Sequence, residues 1–126
     1  MEAQKGERLF AGIGCAECHT PQMKTGPNAI GIPEGLDVPL YSDLLTHDLG
    51  ESLNDHLIQG VAQGPYWRTT PLWGLRHRRL LLHDGRAGTV EEAIRFHGGE
   101  GAKVRGAYEA LPAPDQGALK AFLLSL

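Results

Sequence analysis

Sulfur is scarce in this chain of 126 residues, which holds two cysteines and two methionines. Two thiols admit at most one disulfide, so the multiply bridged scaffold of a small secreted domain is excluded. No second cysteine pair exists to complete a paired-thiolate zinc site. Excess positive charge is missing too. Twelve Lys and Arg stand against fifteen Asp and Glu, giving a net charge of −3 and a pI near 6.0. No basic stripe alternates with stacking aromatics, which removes the case for a nucleic-acid partner. Long apolar runs are absent: none approaches the ~20 residues of a transmembrane helix. Met1 is followed by Glu2-Ala3-Gln4-Lys5 rather than by the apolar region of a secretion signal.

The little sulfur present is concentrated. Both cysteines lie in Cys15-Ala16-Glu17-Cys18-His19, the spacing of a c-type haem attachment site. Residues i and i+3 share a face of a helical turn, so both sulfurs reach the two vinyl groups of one porphyrin. His19 is then carried beneath the iron as its proximal ligand. A redox dithiol of the thioredoxin kind would sit in a βαβ unit, and none is found. The expected cofactor is therefore one covalently attached haem c. Such attachment normally takes place outside the bacterial cytoplasm, so the expected location is periplasmic or otherwise extracytoplasmic. With no leader in view, residues 1–126 are expected to be a single haem domain excised from a larger protein.

Seventeen glycines and eight prolines call for short elements joined by long irregular connections, with haem supplying much of the core. Gly6, Leu9, Phe10 and Ile13 recur at helical spacing, and Gly6 would let another helix cross closely. Residues 20–40 are broken by Pro21, Gly26, Pro27, Gly31, Pro33, Gly35 and Pro39, predicting a loop over the haem edge. Met23 lies too close to His19 in sequence to reach the opposite face of a porphyrin and is expected to pack. Residues 41–50 read as one or two helical turns with Ser42 as a cap. His47-Asp48 reads as a local hydrogen-bonded pair, and His56 as exposed.

Residues 65–75 hold both tryptophans, Trp67 and Trp73, in a prolyl frame and read as an extended haem-facing segment. Arg68 within it is either a partner for a haem propionate or a surface arginine packed on Trp67. Arg76-His77-Arg78-Arg79 is a solvated basic run or a docking patch for an acidic partner. Thr89-Val90-Glu91-Glu92 fits a capping box. The helix after it carries Val90, Ala93, Ile94 and His97 on one face and ends at Gly98-Gly99. A helix over residues 103–110 stops before Pro112. Pro114 then starts a last helix whose Leu119, Phe122, Leu123 and Leu126 partner the Gly6 face. These elements predict an all-α, cytochrome c-like domain with short helices and long haem-wrapping loops.

Residues 41–50, Trp67-Arg68-Thr69-Thr70-Pro71-Leu72-Trp73-Gly74-Leu75, Leu82-His83-Asp84-Gly85-Arg86-Ala87 and Glu92-Ala93-Ile94 through His97-Gly98-Gly99-Glu100 resemble, in that order, the C-terminal haem domain of the di-haem oxidoreductase family. Its members often carry the label thiol oxidoreductase and are related to bacterial di-haem cytochrome c peroxidases. The resemblance implies a cytochrome c fold, electron transfer and, in a complete two-haem protein, peroxidase-like chemistry. It also implies a redox partner protein or a second haem domain. The chain departs from the family in having one haem motif, and no further cysteine supports thiol chemistry.

His97 is the expected sixth iron ligand. It lies on the apolar face of the capped helix, where a buried imidazole needs a partner. In the resembling peroxidases a similar His-Asp-Gly turn precedes a helix bearing a methionine ligand, and the same interval from His83 lands on His97. A core histidine bonded to a carbonyl is the structural alternative, with His83 and His47 as lesser ligand candidates. Two functional classes follow. One is an electron-transfer module with a bis-histidine iron. The other is a peroxidase-like oxidoreductase with an open or switchable sixth position, served by His83 or Glu100 as acid–base groups.

Overall fold

A computed structural model describes all 126 residues. Four α-helices form: α1 (Glu2–Gly12), α2 (Val90–Arg95), α3 (Ala102–Glu109) and α4 (Ala113–Leu123). Four strands form two separate antiparallel hairpins, β1 (Met23–Lys24) with β2 (Asp37–Val38), and β3 (Thr46–Asp48) with β4 (Tyr66–Arg68). Single 3₁₀ turns cover Cys15–Glu17, Glu51–Leu53, Leu75–His77 and Gly99–Gly101.

The all-α expectation does not hold. Only 38% of residues are helical, and two small sheets give the chain a mixed character. Residues 41–50, expected to be helical, are extended and end in β3. Tyr41 and Leu44 take positive φ of 51° and 61°, which no right-handed helix accommodates. The Ser42 hydroxyl does not reach forward to a helix amide. It is buried and donates to the Thr69 carbonyl at 2.6 Å. Register in the second hairpin pairs His47 with Trp67 and Thr46 with Arg68.

The helical expectations fare better at the ends of the chain. At the crossing of α1 and α4, a methyl on Gly6 would run into the Ala118 carbonyl and stand 2.6 Å from Phe122 Cβ. The absent side chain is thus what lets the two helices meet. Phe10, Leu119, Phe122 and Leu123 fill the seam, and Tyr108, Leu75 and Val90 extend the same cluster. Lys5 and Asp115 close its rim with an ion pair.

Helix α2 starts with the predicted capping box. Thr89 Oγ1 accepts from the Glu92 amide at 3.1 Å and Glu92 Oε2 accepts from the Thr89 amide at 3.2 Å, satisfying two otherwise orphaned donors. The helix ends earlier than expected. Phe96 is its C-cap, so His97 stands in the turn beyond it rather than on its face.

Away from α1 and α4 the packing is thin. Only 15 of 126 residues are buried, so most of the loop half is held by hydrogen bonds rather than by apolar contact. Met23, expected to pack, is exposed on β1. His56 is exposed as expected.

Candidate haem site

The attachment motif forms directly after α1. Gly14 turns the chain with φ of 101°, and Cys15–Glu17 make one 3₁₀ turn closed by the Cys18 amide on the Cys15 carbonyl, which also accepts from the His19 amide at 2.9 Å. Both cysteines are free and half-buried. Burial pushes the Cys15 thiol up to about 11, and burial with the neighbouring Asp43 carboxylate raises Cys18. Both shifts work against the thiolate character of a reactive redox dithiol.

A short ladder sets His19. The amides of Tyr41, Ser42 and Asp43 donate to the carbonyls of Pro21, Thr20 and Cys18, the last at 2.8 Å. Residues 41–43 thereby lie along the attachment segment, and the Tyr41 carbonyl receives His19 Nδ1 at 2.9 Å. Phe10 lies beside the ring, with centroids 6.3 Å apart. Burial lowers the pKa of His19 to about 4, so the imidazole is neutral with Nδ1 protonated and the Nε2 lone pair uncommitted.

His97 is built the same way by different means. Its Nδ1 donates to the Ala93 carbonyl at 2.8 Å, a carbonyl near the open end of α2. Burial again lowers the pKa. The two imidazoles face each other's neighbourhood, their centroids 6.4 Å apart and their planes 49° apart. The structural alternative for His97, a carbonyl bond near the helix end, is thus present, and it leaves Nε2 free.

The other sequence candidates lie elsewhere. Trp73 is 49% exposed. Arg68 is exposed on β4 and bonds to nothing. His83 is exposed and its ring stacks on Trp67, centroids 3.4 Å apart, while Trp67 Nε1 donates to the Leu53 carbonyl. His47 does not pair with Asp48 as expected. Its Nε2 meets Asp43 Oδ2 at 2.7 Å and its Nδ1 meets Glu100 Oε2 at 2.9 Å. Cys18, Asp43 and His47 bring ligand atoms within 4.8 Å of one another. Both nitrogens of His47 are engaged by carboxylates, so that trio offers a metal no free imidazole lone pair.

Comparison with known proteins agrees with this chemistry. The family model described as "Di-haem oxidoreductase, putative peroxidase" matches residues 1–126. The chain belongs to the di-haem oxidoreductase family. It is similar to the cytochrome-c peroxidase IdrP2 of Pseudomonas sp. (strain SCT), 32% identical over 146 residues covering 99% of this chain and 39% of that protein. The chain thus spans about two fifths of the length of this curated relative. No solved structure matches the chain. No helix is long and apolar enough to cross a membrane.

Sequence reasoning missed one residue that bears on the fit of a haem. Arg105 on α3 has a buried Nε with no acceptor. Its Nη1 donates to the Arg95 carbonyl at 3.3 Å, and its charge helps depress His97. A buried donor without a partner is rare in a finished protein. A haem, which brings two carboxylates, fits this requirement and the donor set of two thiols and two neutral imidazoles. Nothing in the sequence distinguishes Arg105 from the other arginines, because its burial depends on how α3 packs.

Proposed function

We propose that this chain is a c-type haem-binding electron-transfer domain with a bis-histidine iron. Cys15 and Cys18 would carry the porphyrin as thioethers, and His19 and His97 would be the axial ligands. The observation that carries the reading is the spacing of the two imidazoles. Each ring spends Nδ1 on a carbonyl, so both would have Nε2 available to one iron held between them. The ring centroids are 6.4 Å apart.

Haem held there supplies one-electron chemistry. The protein's contribution is to fix the ligands and their basicity. Each Nδ1 bond to a carbonyl sets the tautomer that offers Nε2 and stops the ring from turning. A second imidazole where many relatives of this chemistry use a thioether favours ferric iron and lowers the potential. Arg105, rather than the exposed Arg68, is the guanidinium suited to a haem carboxylate, since it alone has a buried donor waiting. The sparse core suits a domain whose cofactor completes it.

With two protein ligands, the domain would pass electrons and leave peroxide chemistry to a second haem domain. Attachment of haem in this way calls for an extracytoplasmic location. An optical spectrum with a pyridine haemochrome assay tests the reading. One covalent haem per chain and a six-coordinate low-spin spectrum are expected, and His97→Ala should convert that spectrum to high-spin and open the ferrous protein to carbon monoxide. Extractable haem, or a His97→Ala protein that stays low-spin, would overturn it. Rapid peroxide turnover by this chain alone would favour the peroxidase alternative.

A further inference from the structure

Every ring nitrogen of His47 is taken by a carboxylate, and those carboxylates come from two different parts of the site. We propose that His47 is a positioning residue that ties the His97 segment to the Cys18–His19 segment, through Glu100 on one side and Asp43 on the other. The inference rests on the reading of His97 as the sixth ligand.

On the attachment side, the Asp43 amide donates to the Cys18 carbonyl at 2.8 Å. The Asp43 carboxylate is aimed by the Leu45 amide on Oδ1 at 2.9 Å, leaving Oδ2 for His47. His47 itself is fixed in β3 opposite Trp67. On the other side, Glu100 is gripped twice: Oε2 by His47 Nδ1 and Oε1 by the Asp48 amide, each at 2.9 Å. Glu100 stands three residues after His97, joined to it by Gly98-Gly99. Those glycines lie directly on residues 48–50. A Cβ on Gly98 would be 2.7 Å from the Leu49 carbonyl oxygen, and one on Gly50 would be 2.8 Å from the Gly99 nitrogen. The turn bearing His97 is therefore held at two points, by the Ala93 carbonyl before it and by this seam after it.

Donor counting gives the clasp its character. Ionised carboxylates only accept hydrogen bonds, so a ring bonded to two of them must donate from both nitrogens, as an imidazolium does. His47 and Asp43 side chains are 18% and 14% exposed, which shields them from salt better than a surface pair. Without the cation, two carboxylates would face each other across the seam and push the His97 turn away. A histidine that merely filled space would cost stability without touching the iron.

The test uses the haem-loaded chain with His47→Ala, Glu100→Gln, the double variant and His97→Ala as reference, reading ferric spin state and carbon monoxide binding by the ferrous protein. Covalent haem content is checked for each. His47→Ala should gain a high-spin fraction and bind carbon monoxide several-fold faster than the parent. Glu100→Gln should shift the same way by less, and the double variant should be no more perturbed than His47→Ala, since both act on one unit and the second change removes the repulsion between the two carboxylates. Glu100 is exposed, so its variant serves if His47→Ala does not fold. Variants that stay fully low-spin beside a high-spin His97→Ala overturn the clasp while leaving the ligand assignment standing. Additive effects also overturn it. A His97→Ala protein that stays low-spin overturns the assignment, and the clasp with it.

Discussion

The α1–α4 pair and the loop half between them are stabilised by different physics. The helix pair is a packed apolar seam whose closest approach is set by Gly6 and filled by Phe10, Leu119, Phe122 and Leu123. The segments carrying the site, residues 18–101, have little core of their own. There Leu44, Leu45, Leu57, Ile58 and Trp73 are exposed, and hydrogen bonds such as Ser42 to Thr69 and His19 to Tyr41 hold the chain in place. The difference teaches that the helix pair is a frame able to form from its own side chains. The loop half has its polar partners in place but lacks the apolar mass that a haem would add.

The strongest way to sharpen this contrast is to withhold the cofactor. Replacing both cysteines, Cys15→Ala with Cys18→Ala, should abolish the cooperative melt and leave a weak helical signal in circular dichroism. Residual amide protection, where any survives, should be confined to α1 and α4. Slow exchange retained across residues 40–70 would show the loop half to be self-sufficient.

The frame can be broken next. Gly6→Ala forces a methyl against backbone, not against a flexible side chain. A cost at or above the top of the ~1–3 kcal/mol range for overpacking is expected, read as a lower urea midpoint of the haem-loaded protein. An unchanged midpoint would mean that the helices can move apart cheaply.

A smaller effect should follow from the capping box. Thr89→Ala removes the acceptor for the Glu92 amide and should cost about 1 kcal/mol. Because α2 supplies the Ala93 carbonyl that His97 uses, this loss should also loosen the His97 side of the site and not the His19 side. Raman or magnetic-resonance spectra of the haem-loaded variant in which both histidines are perturbed equally would contradict that split.

The smallest effect is a pH dependence of the clasp. Glu100 and Asp43 raise the pKa of His47. The Asp43 carboxyl, though burial pushes it up, is held below its usual range by His47, and Glu100 is lowered by the same ring. For a histidine whose pKa is raised on folding, the stabilisation is full below about pH 6.5, its unfolded value, and is lost as pH rises through the folded value. For the carboxylates it is present above about pH 4 and lost as pH falls through their lowered values. The melting-temperature difference between the parent and His47→Ala should therefore peak in mildly acidic solution and shrink toward both sides. A difference that keeps growing into alkaline pH would rule out a doubly donating imidazolium.

Local chemistry was the legible part of this protein. Cys15, Cys18 and His19 carry their meaning in their spacing, Thr89 and Glu92 satisfy each other within one turn, and Gly6 announces a close crossing because its neighbours repeat at helical spacing. The hairpins were not legible. Strands of two or three residues are too short to show an alternating pattern, and the turn formers around them suit loops equally well. Residues 41–50 misled because Ser42 looks like a cap until its hydroxyl finds Thr69, twenty-seven residues away.

His97 is half-buried beside α2 and stands past the helix end rather than on the helix face that the spacing predicts. By itself the sequence determined the haem motif, the capped helix and the helix pair, because each depends on residues within a few turns or on one repeating face. Only the tertiary structure decided that His19 and His97 lie 6.4 Å apart, that Arg105 is left with a buried donor, and that His47 joins Asp43 to Glu100. Those distances depend on loops of irregular backbone, whose course is set by many weak hydrogen bonds acting together and by no local preference.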